Sequence, residues 1–267
     1  MGVIIPYMVG GLGNWLFQLA SVVHVAGCIG YDVYIGSKYC HGMPHSTINY
    51  FSTILRKLYT PHGTTPNYTV IFNELREGEF VDPASFLSQK KDSDVVLFRG
   101  YFQHWRNVPS SFADMLTFDN TSSLLSKYRV IRHTCFIHVR GGDYLLPRTR
   151  DVHYVNLDTY YRRAIQHMVS LGITSFSVFT NDPSHCRERP FLATPGINYT
   201  IVDENELDSL YLMTQCKAGI VANSTFSWWG AFLNRNRPIC MPSKWFVDPA
   251  KSGEGMYFPE ATIISVD

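Results

Sequence analysis

The sequence predicts an α/β fold made of two Rossmann-like domains. Short apolar runs that are typical of buried strands recur along the second half of the chain, and helix-like segments separate them. A similar strand, turn and helix open the first half. Of the 267 residues, 45% are hydrophobic and 17% charged, which is enough apolar material for a packed core. We place an N-terminal domain at residues 1–130 and a C-terminal domain at residues 131–267.

The second half gives the clearer pattern. Strands are predicted at residues 134–140, 175–180, 199–203, 219–223 and 238–241, and helices at 158–172, 206–216 and 226–235. Strands that alternate with helices predict a parallel sheet with crossover connections. We expect the first helix to bury Tyr161, Ile165, Met168 and Leu171, and the second to bury Leu207, Leu210, Tyr211 and Thr214.

The first half opens with a predicted strand at residues 3–8, a helix at about 14–28 and a strand at 31–35. The Gly10-Gly11-Leu12-Gly13 turn between the first two resembles the glycine-rich turn of dinucleotide folds, but it lacks the GxGxxG spacing and no Lys-Ser/Thr follows it. Residues 38–94 show weak periodicity, and we expect loops there, near an acceptor site. A strand is predicted at 94–99 and a helix at 111–128.

Composition excludes several classes of partner. The formal net charge is +1, so we expect no binding of nucleic acid or of an anionic membrane surface. The six cysteines are scattered without a metal-ligand spacing, and we expect them to be reduced. No apolar run approaches the length of a membrane span, so we expect a soluble, cytoplasmic chain without an integral membrane segment, or a module of a longer polypeptide.

Polar residues follow three of the predicted strands, where ligands bind in Rossmann-like folds. His138 and Arg140 come first, followed by Gly141, Gly142 and Asp143. An arginine beside two glycines can bind a diphosphate that approaches the backbone closely. The alternative is a Gly-Gly turn with an ion pair between Arg140 and Asp143.

The second position holds Ser224, Thr225 and Ser227, where a strand breaks into a helix. Free N–H groups and hydroxyls at a helix start bind anions, and the alternative is an ordinary helix cap beside a core pair, Trp228 and Trp229. The third position holds Asp182, whose carboxylate could accept from the N–H groups of guanine. The alternative there is a Pro-terminated turn capped by Asp182.

Six segments together resemble glycosyltransferase family 11, the alpha-1,2-fucosyltransferases. They are GGLGNWLFQLA, RGYFQHW, HVRGGDY, FTNDP, DENELDSLYLMTQCKAGIVANSTFSWWGAFLN and PSKWF, in the order of the family. The resemblance implies a GT-B-type fold of two facing Rossmann-like domains, with the acceptor on the N-terminal side and GDP-fucose in the C-terminal domain. It also implies an inverting transfer of L-fucose from GDP-beta-L-fucose to a glycan hydroxyl, in alpha-1,2 linkage, by a bacterial or viral type of enzyme.

The resemblance also assigns roles to residues. Arg140 occupies the place of the phosphate-binding arginine, with His138 beside it, and Ser227, Ser224 and Thr225 match hydroxyl donors to the diphosphate. Asp182 matches the guanine-binding acid of related alpha-1,6-fucosyltransferases, and Asn14 matches an asparagine near the fucose in protein O-fucosyltransferases. Asp143 is our candidate general base, with orientation of Arg140 as its alternative role. No cofactor and no metal are expected.

The chain departs from the family pattern at two positions. Gly141 replaces the second arginine of HxRRGDY, and Trp15 replaces the glutamine of GNQLFQ. The first change removes a cation from the neighbourhood of the pyrophosphate, and the second alters the acceptor side. A transferase for another GDP-sugar, or an inactive nucleotide- or glycan-binding module, are the alternative functions.

Overall fold

The computed structural model describes residues 2–41, 46–60, 66–88, 94–248 and 250–267. The chain forms two compact units, Met1–Asp119 with Glu254–Met256, and Asn120–Gly253 with Tyr257–Asp267. The division therefore lies upstream of the boundary placed at residues 130 and 131, and it falls within the helix predicted at 111–128. That segment forms two helices, Phe112–Met115 and Thr121–Lys127, because Asn120 adopts a left-handed conformation with φ of 56°.

The first unit contains a parallel sheet in the order β2-β1-β5-β4, with β3 paired to β1. The strands are β1 Val3–Val9, β2 Asp32–Val33, β3 Cys40–His41, β4 Val70–Asn73 and β5 Val95–Arg99. The helices are α1 Leu12–Ile29, α2 Pro83–Leu87 and α3 Phe112–Met115. β3 and β4 lie in the region expected to be irregular, of which residues 42–45, 61–65 and 89–93 are outside the described residues.

Helix α1 packs its apolar side on this sheet, with Val22 and Val25 in one cluster with Ile4 and Phe98. It ends at Gly30, whose left-handed backbone (φ 73°) lets its N–H bond to the carbonyl of Ala26. By length and hydropathy this helix could cross a membrane, contrary to our expectation that no segment approaches that length. However, 67% of it is buried within the unit, as in the core helix of a globular domain.

The second unit contains a parallel sheet of six strands in the order β11-β10-β9-β6-β7-β8. Its strands are β6 Cys135–Val139, β7 Ser175–Thr180, β8 Asn198–Ile201, β9 Ala218–Ile220, β10 Ile239–Pro242 and β11 Ala261–Ile264. Its helices are α4 Thr121–Lys127, α5 Pro147–His153, α6 Asp158–Ser170, α7 Pro183–Arg187, α8 Glu206–Gln215 and α9 Thr225–Leu233. If β6 is numbered 1 and the sheet is followed from β8 to β11, the strand order is 3-2-1-4-5-6, which is the order of a Rossmann fold.

Two details of the predicted helix faces are wrong. Tyr161, Ile165 and Met168 of α6 are buried as expected, but Leu171 is 53% exposed because the helix ends before it. In α8 the buried residues are Ser209, Leu210, Leu212 and Met213. This helix packs on α9, where Gly230 leaves room for the side chain of Met213, so the buried face follows the neighbouring helix.

Candidate functional site

The candidate site of the second unit lies where strand order reverses. Strands β6 and β9 pair directly. The strands that follow β6 along the chain, β7 and β8, extend the sheet toward one edge, and those that follow β9, β10 and β11, extend it toward the other edge. In open α/β sheets, ligands bind outside the carboxyl ends of the strands at such a point. Arg140 directly follows β6, and Asn223 precedes the first residues of α9. Both line one pocket, so the residue after β6 and the residue just before Ser224 lie together, although Ser224, Thr225 and Ser227 are not among the residues that line it.

Two side chains hold the guanidinium of Arg140. Asp143 Oδ1 lies 2.5 Å from Arg140 Nη2, and the ring of Tyr144 lies under the guanidinium with its centroid 5.0 Å from Cζ. The Nε atom of Arg140 is buried and has no hydrogen-bond partner among the described residues. Arg140 is therefore oriented before any ligand arrives, and it retains at least one N–H group that lacks an acceptor.

Asp143 and Tyr144 act as supports for this arginine. The ion pair with Arg140 is the arrangement that the sequence offers as the alternative to a general base. The hydroxyl of Tyr144 donates to the carbonyl of Asn223 at 3.2 Å, and its ring stacks on His153. Asn223 donates to the carbonyls of His153 and Trp245, so the turn before α9 is fixed from the same side. These contacts join the end of β6 to the start of α9.

The two glycines after Arg140 are clamped by the segment after β7. The amide group of Asn181 binds both backbone groups of Gly141, accepting from its N–H at 2.9 Å and donating to its carbonyl at 3.3 Å. Gly142 has a positive φ of 59°, and a Cβ there would lie 2.7 Å from Asn181 Nδ2. The backbone conformation therefore favours a glycine at position 142, and a Cβ there would displace the Asn181 amide group that binds Gly141.

Asp182 caps the short helix α7. Its Oδ1 accepts from the His185 N–H at 3.0 Å and from the Ser184 hydroxyl at 2.8 Å, while its Oδ2 accepts from the Gly142 N–H at 3.2 Å. These hydrogen bonds, that of the His185 amide first, lower the pKa of Asp182. The structure thus contains the capped turn that was the alternative for this residue. A guanine contact stays a prediction, and it would have to use the remaining lone pairs of the carboxylate.

The hydroxyl-rich start of α9 divides into two sets. Ser224 is the N-cap residue and makes no side-chain capping bond, and Thr225 begins the helix. Ser224 is 5% exposed and Ser227 is fully buried, and the Ser227 hydroxyl lies 3.3 Å from the Ser224 carbonyl and 3.4 Å from that of Ala222. A direct phosphate contact of Ser227 stays a prediction, and it would require this hydroxyl to leave its backbone acceptors. Ser224, Thr225 and the helix amides remain as candidate donors. Trp228 and Trp229 are fully buried and form the core pair that was given as the alternative.

His138 lies behind the site. It is 3% exposed, its ring packs against Phe226, and its Nδ1 has no partner among the residues described. Burial, with a smaller contribution from the charge of Arg140, lowers the pKa of His138 from 6.5 to about 3. The ring is therefore neutral at physiological pH, and the donor contact predicted for it stays a prediction. The hydroxyl of Tyr161 binds the carbonyl of His138 at 2.7 Å and so fixes the strand end before Arg140.

The buried histidine predicts a pH dependence of stability. Below pH 6.5 the unfolded chain binds a proton at His138 that the folded protein excludes down to about pH 3. The free energy of unfolding therefore falls as the pH falls through this window, by up to about 1.4 kcal/mol per unit. Denaturant unfolding of His138→Leu should show a flatter curve of stability against pH than the wild type. His133→Gln, at an exposed position, is the control, and equal slopes in all three proteins would refute this account.

Asn14 belongs to the first unit, where it lies in the first turn of α1. The amide of Gln103 donates to Asn14 Oδ1 at 3.1 Å, and Gln103 is 7% exposed. Gln18 fixes the preceding turn, since its Oε1 accepts from the Val9 N–H at 3.1 Å and its Nε2 donates to the Val9 carbonyl. The carboxylate of Glu74 accepts from backbone N–H groups of the RGYFQHW segment and thereby holds the loop that carries Gln103.

Several residues of the candidate sites were not among the sequence-based candidates. Asn181 and Tyr144 lie inside the quoted motifs FTNDP and HVRGGDY, and Gln103 lies in RGYFQHW, so motif membership was the signal that could have found them. Arg189 also lines the pocket of the second unit and lies outside every quoted motif. Within the described residues, no group of three or more His, Cys, Asp or Glu side chains could hold a metal ion.

Two curated relatives from Escherichia coli match part of this chain. The O-antigen biosynthesis glycosyltransferase WbnK is 34% identical over 127 residues, which is 45% of this chain and 41% of the relative. An alpha-1,2-colitosyltransferase is 31% identical over 117 residues, which is 41% of this chain and 40% of the relative. The matched part therefore spans about two fifths of the length of each relative.

Solved structures of the fucosyltransferase NodZ are similar in fold. NodZ from Bradyrhizobium superposes with a TM-score of 0.52 at 14% identity, over 85% of this chain and 91% of that chain. A structure of NodZ alpha-1,6-fucosyltransferase soaked with GDP-fucose also gives a TM-score of 0.52, at 13% identity and with the same coverage of both chains. With a parallel sheet in each unit and these neighbours, the α/β, GT-B-type fold class is confirmed.

The family is shown by the sequence itself. The profile of the family described as "Glycosyl transferase family 11" matches residues 110–263, which is more than half of the chain. This stretch contains the HVRGGDY, FTNDP and NSTFSWWGA segments, and therefore Arg140 with its supports and the start of α9. The chain is thus a member of glycosyltransferase family 11.

Proposed function

We propose that this chain transfers L-fucose from GDP-beta-L-fucose to a hydroxyl group of a glycan, with inversion at the anomeric carbon and in alpha-1,2 linkage. The observation that carries the proposal is the oriented guanidinium of Arg140 at the switch point of a Rossmann sheet, beside the start of α9. Support comes from the family, from a relative named for alpha-1,2 transfer, and from the fold shared with NodZ, which was soaked with GDP-fucose.

The proposed reaction requires stabilisation of the negative charge on the leaving diphosphate, and Arg140 and the start of α9 can provide it. The acceptor hydroxyl attacks the anomeric carbon from the face opposite GDP and releases its proton to water. The bond between the anomeric carbon and the β-phosphate oxygen breaks, and negative charge grows on the diphosphate. Fixed donors aimed at that charge lower the barrier most. We assign this role to Arg140, Ser224, Thr225 and the first amides of α9, whose dipole has its positive end there. Asn14 is assigned to the sugar side of the donor.

The proposed transfer needs no metal, because the cationic guanidinium and the helix start supply the positive charge. Equal initial rates with EDTA and with added Mg²⁺ or Mn²⁺ are the expected result. A rate that disappears in EDTA and returns with one of these ions would contradict this part of the proposal.

The substrate test uses donors and acceptors together. GDP-fucose, GDP-mannose, a nucleotide-linked colitose and UDP-sugars are incubated with a panel of beta-galactosides, glucosides and xylosides, and the product linkage is determined by NMR. The expected product is an alpha-1,2-fucoside. The colitose arm is included because one relative is a colitosyltransferase. Binding of GDP without transfer to any acceptor would favour the inactive module, and selectivity for UDP would contradict a guanine-binding role of Asp182.

Asp143 gives a prediction that separates its two roles. We propose that it orients Arg140, so Asp143→Asn, whose amide oxygen can still accept from the guanidinium, should raise KM for GDP-fucose several-fold and leave the pH profile of kcat unchanged. Steady-state kinetics over a range of pH measure both quantities. If the carboxylate is instead the general base, the substitution would lower kcat by a factor on the order of 100 or more at unchanged KM. That outcome would return Asp143 to the chemical step.

A further inference from the structure

The pocket at the switch point contains a second arginine. Besides Arg140 and Asn223, its lining includes Tyr154, Asp158, His185 and Arg189. Arg189 comes shortly after helix α7, and Asp158 lies in the first turn of α6. The lining therefore combines the ends of β6 and β9 with residues that follow β7.

Arg189, like Arg140, is paired with a carboxylate, although at a longer distance. Its Nη1 lies 3.5 Å from Asp158 Oδ2, and the side chains of this ion pair are 22% and 24% exposed. Its Nε atom is buried and has no hydrogen-bond partner in the part of the chain that the structure describes. A guanidinium has five donors and no acceptor, so one carboxylate contact leaves most of its capacity unused.

The two arginines present the same incomplete hydrogen bonding to one pocket. Buried polar groups are usually paired, so these two guanidinium groups have donors left for the acceptor oxygens of a ligand. Arginine binds phosphate oxygens with a fork of N–H groups, and a diphosphate offers enough oxygens for two such residues.

The glycine at position 141 explains how the second arginine reaches this place. A Cβ at position 141 would lie 2.9 Å from Asp182 Cβ and 3.1 Å from His185 Cδ2. The segment that carries Asp182 and His185 therefore packs directly on the backbone of Gly141. Arg189 follows in the same segment. The absence of a side chain at position 141 therefore permits the close packing of the segment that also carries Arg189 to the pocket.

We propose that Arg189 is a second cationic ligand for the diphosphate of the nucleotide donor, in place of an arginine directly after Arg140. The proposal rests on the function proposed above. It adds a binding residue outside the motifs that carry the family resemblance. Asp158 holds the guanidinium in the absence of the nucleotide, as Asp143 does for Arg140.

The test measures binding of GDP, GMP and guanosine by calorimetry. Arg189→Gln should weaken GDP binding by about tenfold or more, the scale of a lost hydrogen bond to a charged group. Its effect on guanosine should be negligible, because guanosine has no phosphate. Arg187→Gln removes the same charge from an exposed position two residues away and should leave all three affinities unchanged.

Asp158→Asn separates ligand binding from a structural role. It keeps the guanidinium and an amide oxygen that can still accept from it, so GDP affinity should fall by much less than in Arg189→Gln. Arg189→Lys, which retains the charge and loses the fork, should show a smaller loss that is confined to phosphate-containing ligands, and it provides the test if Arg189→Gln does not fold.

Three results would overturn the proposal. They are equal GDP affinity of Arg189→Gln and Arg187→Gln, a loss in Asp158→Asn as large as that in Arg189→Gln, and a loss in Arg189→Gln that is the same for guanosine as for GDP. Normal GDP binding by Arg189→Gln together with weak binding by Arg140→Ala would remove Arg189 alone. A wild-type protein that binds no guanine nucleotide would instead remove the proposed function, and the role of Arg189 with it.

Discussion

Arg140→Ala should lower kcat/KM for GDP-fucose by at least roughly a hundredfold, the effect of removing one preorganised donor from a developing negative charge. Arg140 is oriented by Asp143 and Tyr144 before the donor binds, so the protein does not have to reorganise when charge grows on the leaving diphosphate. The loss should appear in kcat as well as in KM, since the charge is greater in the transition state than in the bound donor.

Two variants make this result specific. Arg148→Ala removes an exposed arginine of α5 that does not line the pocket, and its activity should match the wild type. Arg140→Lys keeps a positive charge and loses the planar fork, so its activity should fall between those of the wild type and Arg140→Ala. Thermal melting of each variant excludes loss of folding as the cause. Near-normal turnover by a folded Arg140→Ala protein would refute the assignment.

The fold was largely predictable because its strands are buried. Strands such as β6 and β7 read as short apolar runs bounded by polar turns, and periodicity identifies them without tertiary information. β11 was missed because its pattern is that of a partly exposed edge strand, and only pairing with β10 makes ATII a strand. The buried face of α8 was wrong because it depends on the packing of α9 against Met213.

The site was predictable in its positions and less so in its contacts. Arg140 and the start of α9 follow neighbouring strands of a parallel sheet. The carboxyl ends of such strands lie at the same edge, so the topology alone brings these residues together. Side-chain direction is decided by packing instead. Ser227 lies three residues into α9 and turns inward, while Ser224 stands at the cap, and no sequence pattern separates the two. Arg189 is distant in sequence from Arg140, so only the structure associates them.

Gly141→Arg should damage the protein, although it restores the arginine found in the family pattern. By sequence alone, a second cation beside Arg140 would be expected to strengthen binding of GDP-fucose. In the structure, the first side-chain atom at position 141 would lie 2.9 Å from Asp182 Cβ and 3.2 Å from Asp182 Oδ2. The Asp182 Cβ cannot move without shifting its carboxylate, which caps α7 and accepts from the Gly142 N–H. Either the turn after Arg140 or the start of α7 must shift.

The expected cost of this overpacking is about 1–3 kcal/mol in the free energy of unfolding, measured by denaturant titration. GDP affinity should fall in the same variant, because the shifted segment carries Arg189 and the turn carries Arg140. Gly141→Ala should show a smaller loss of the same sign, since it introduces only the Cβ. Gly27→Ala is the matched control, because a Cβ there meets nothing within 4 Å and an alanine inside α1 is favourable. A Gly141→Arg protein that is as stable as the wild type and binds GDP more tightly would contradict this prediction. It would show that the segment after β7 can move away from position 141 without loss of stability. The family arrangement would then be accessible to this chain, and close packing at Gly141 could not be the reason that Arg189 lines the pocket.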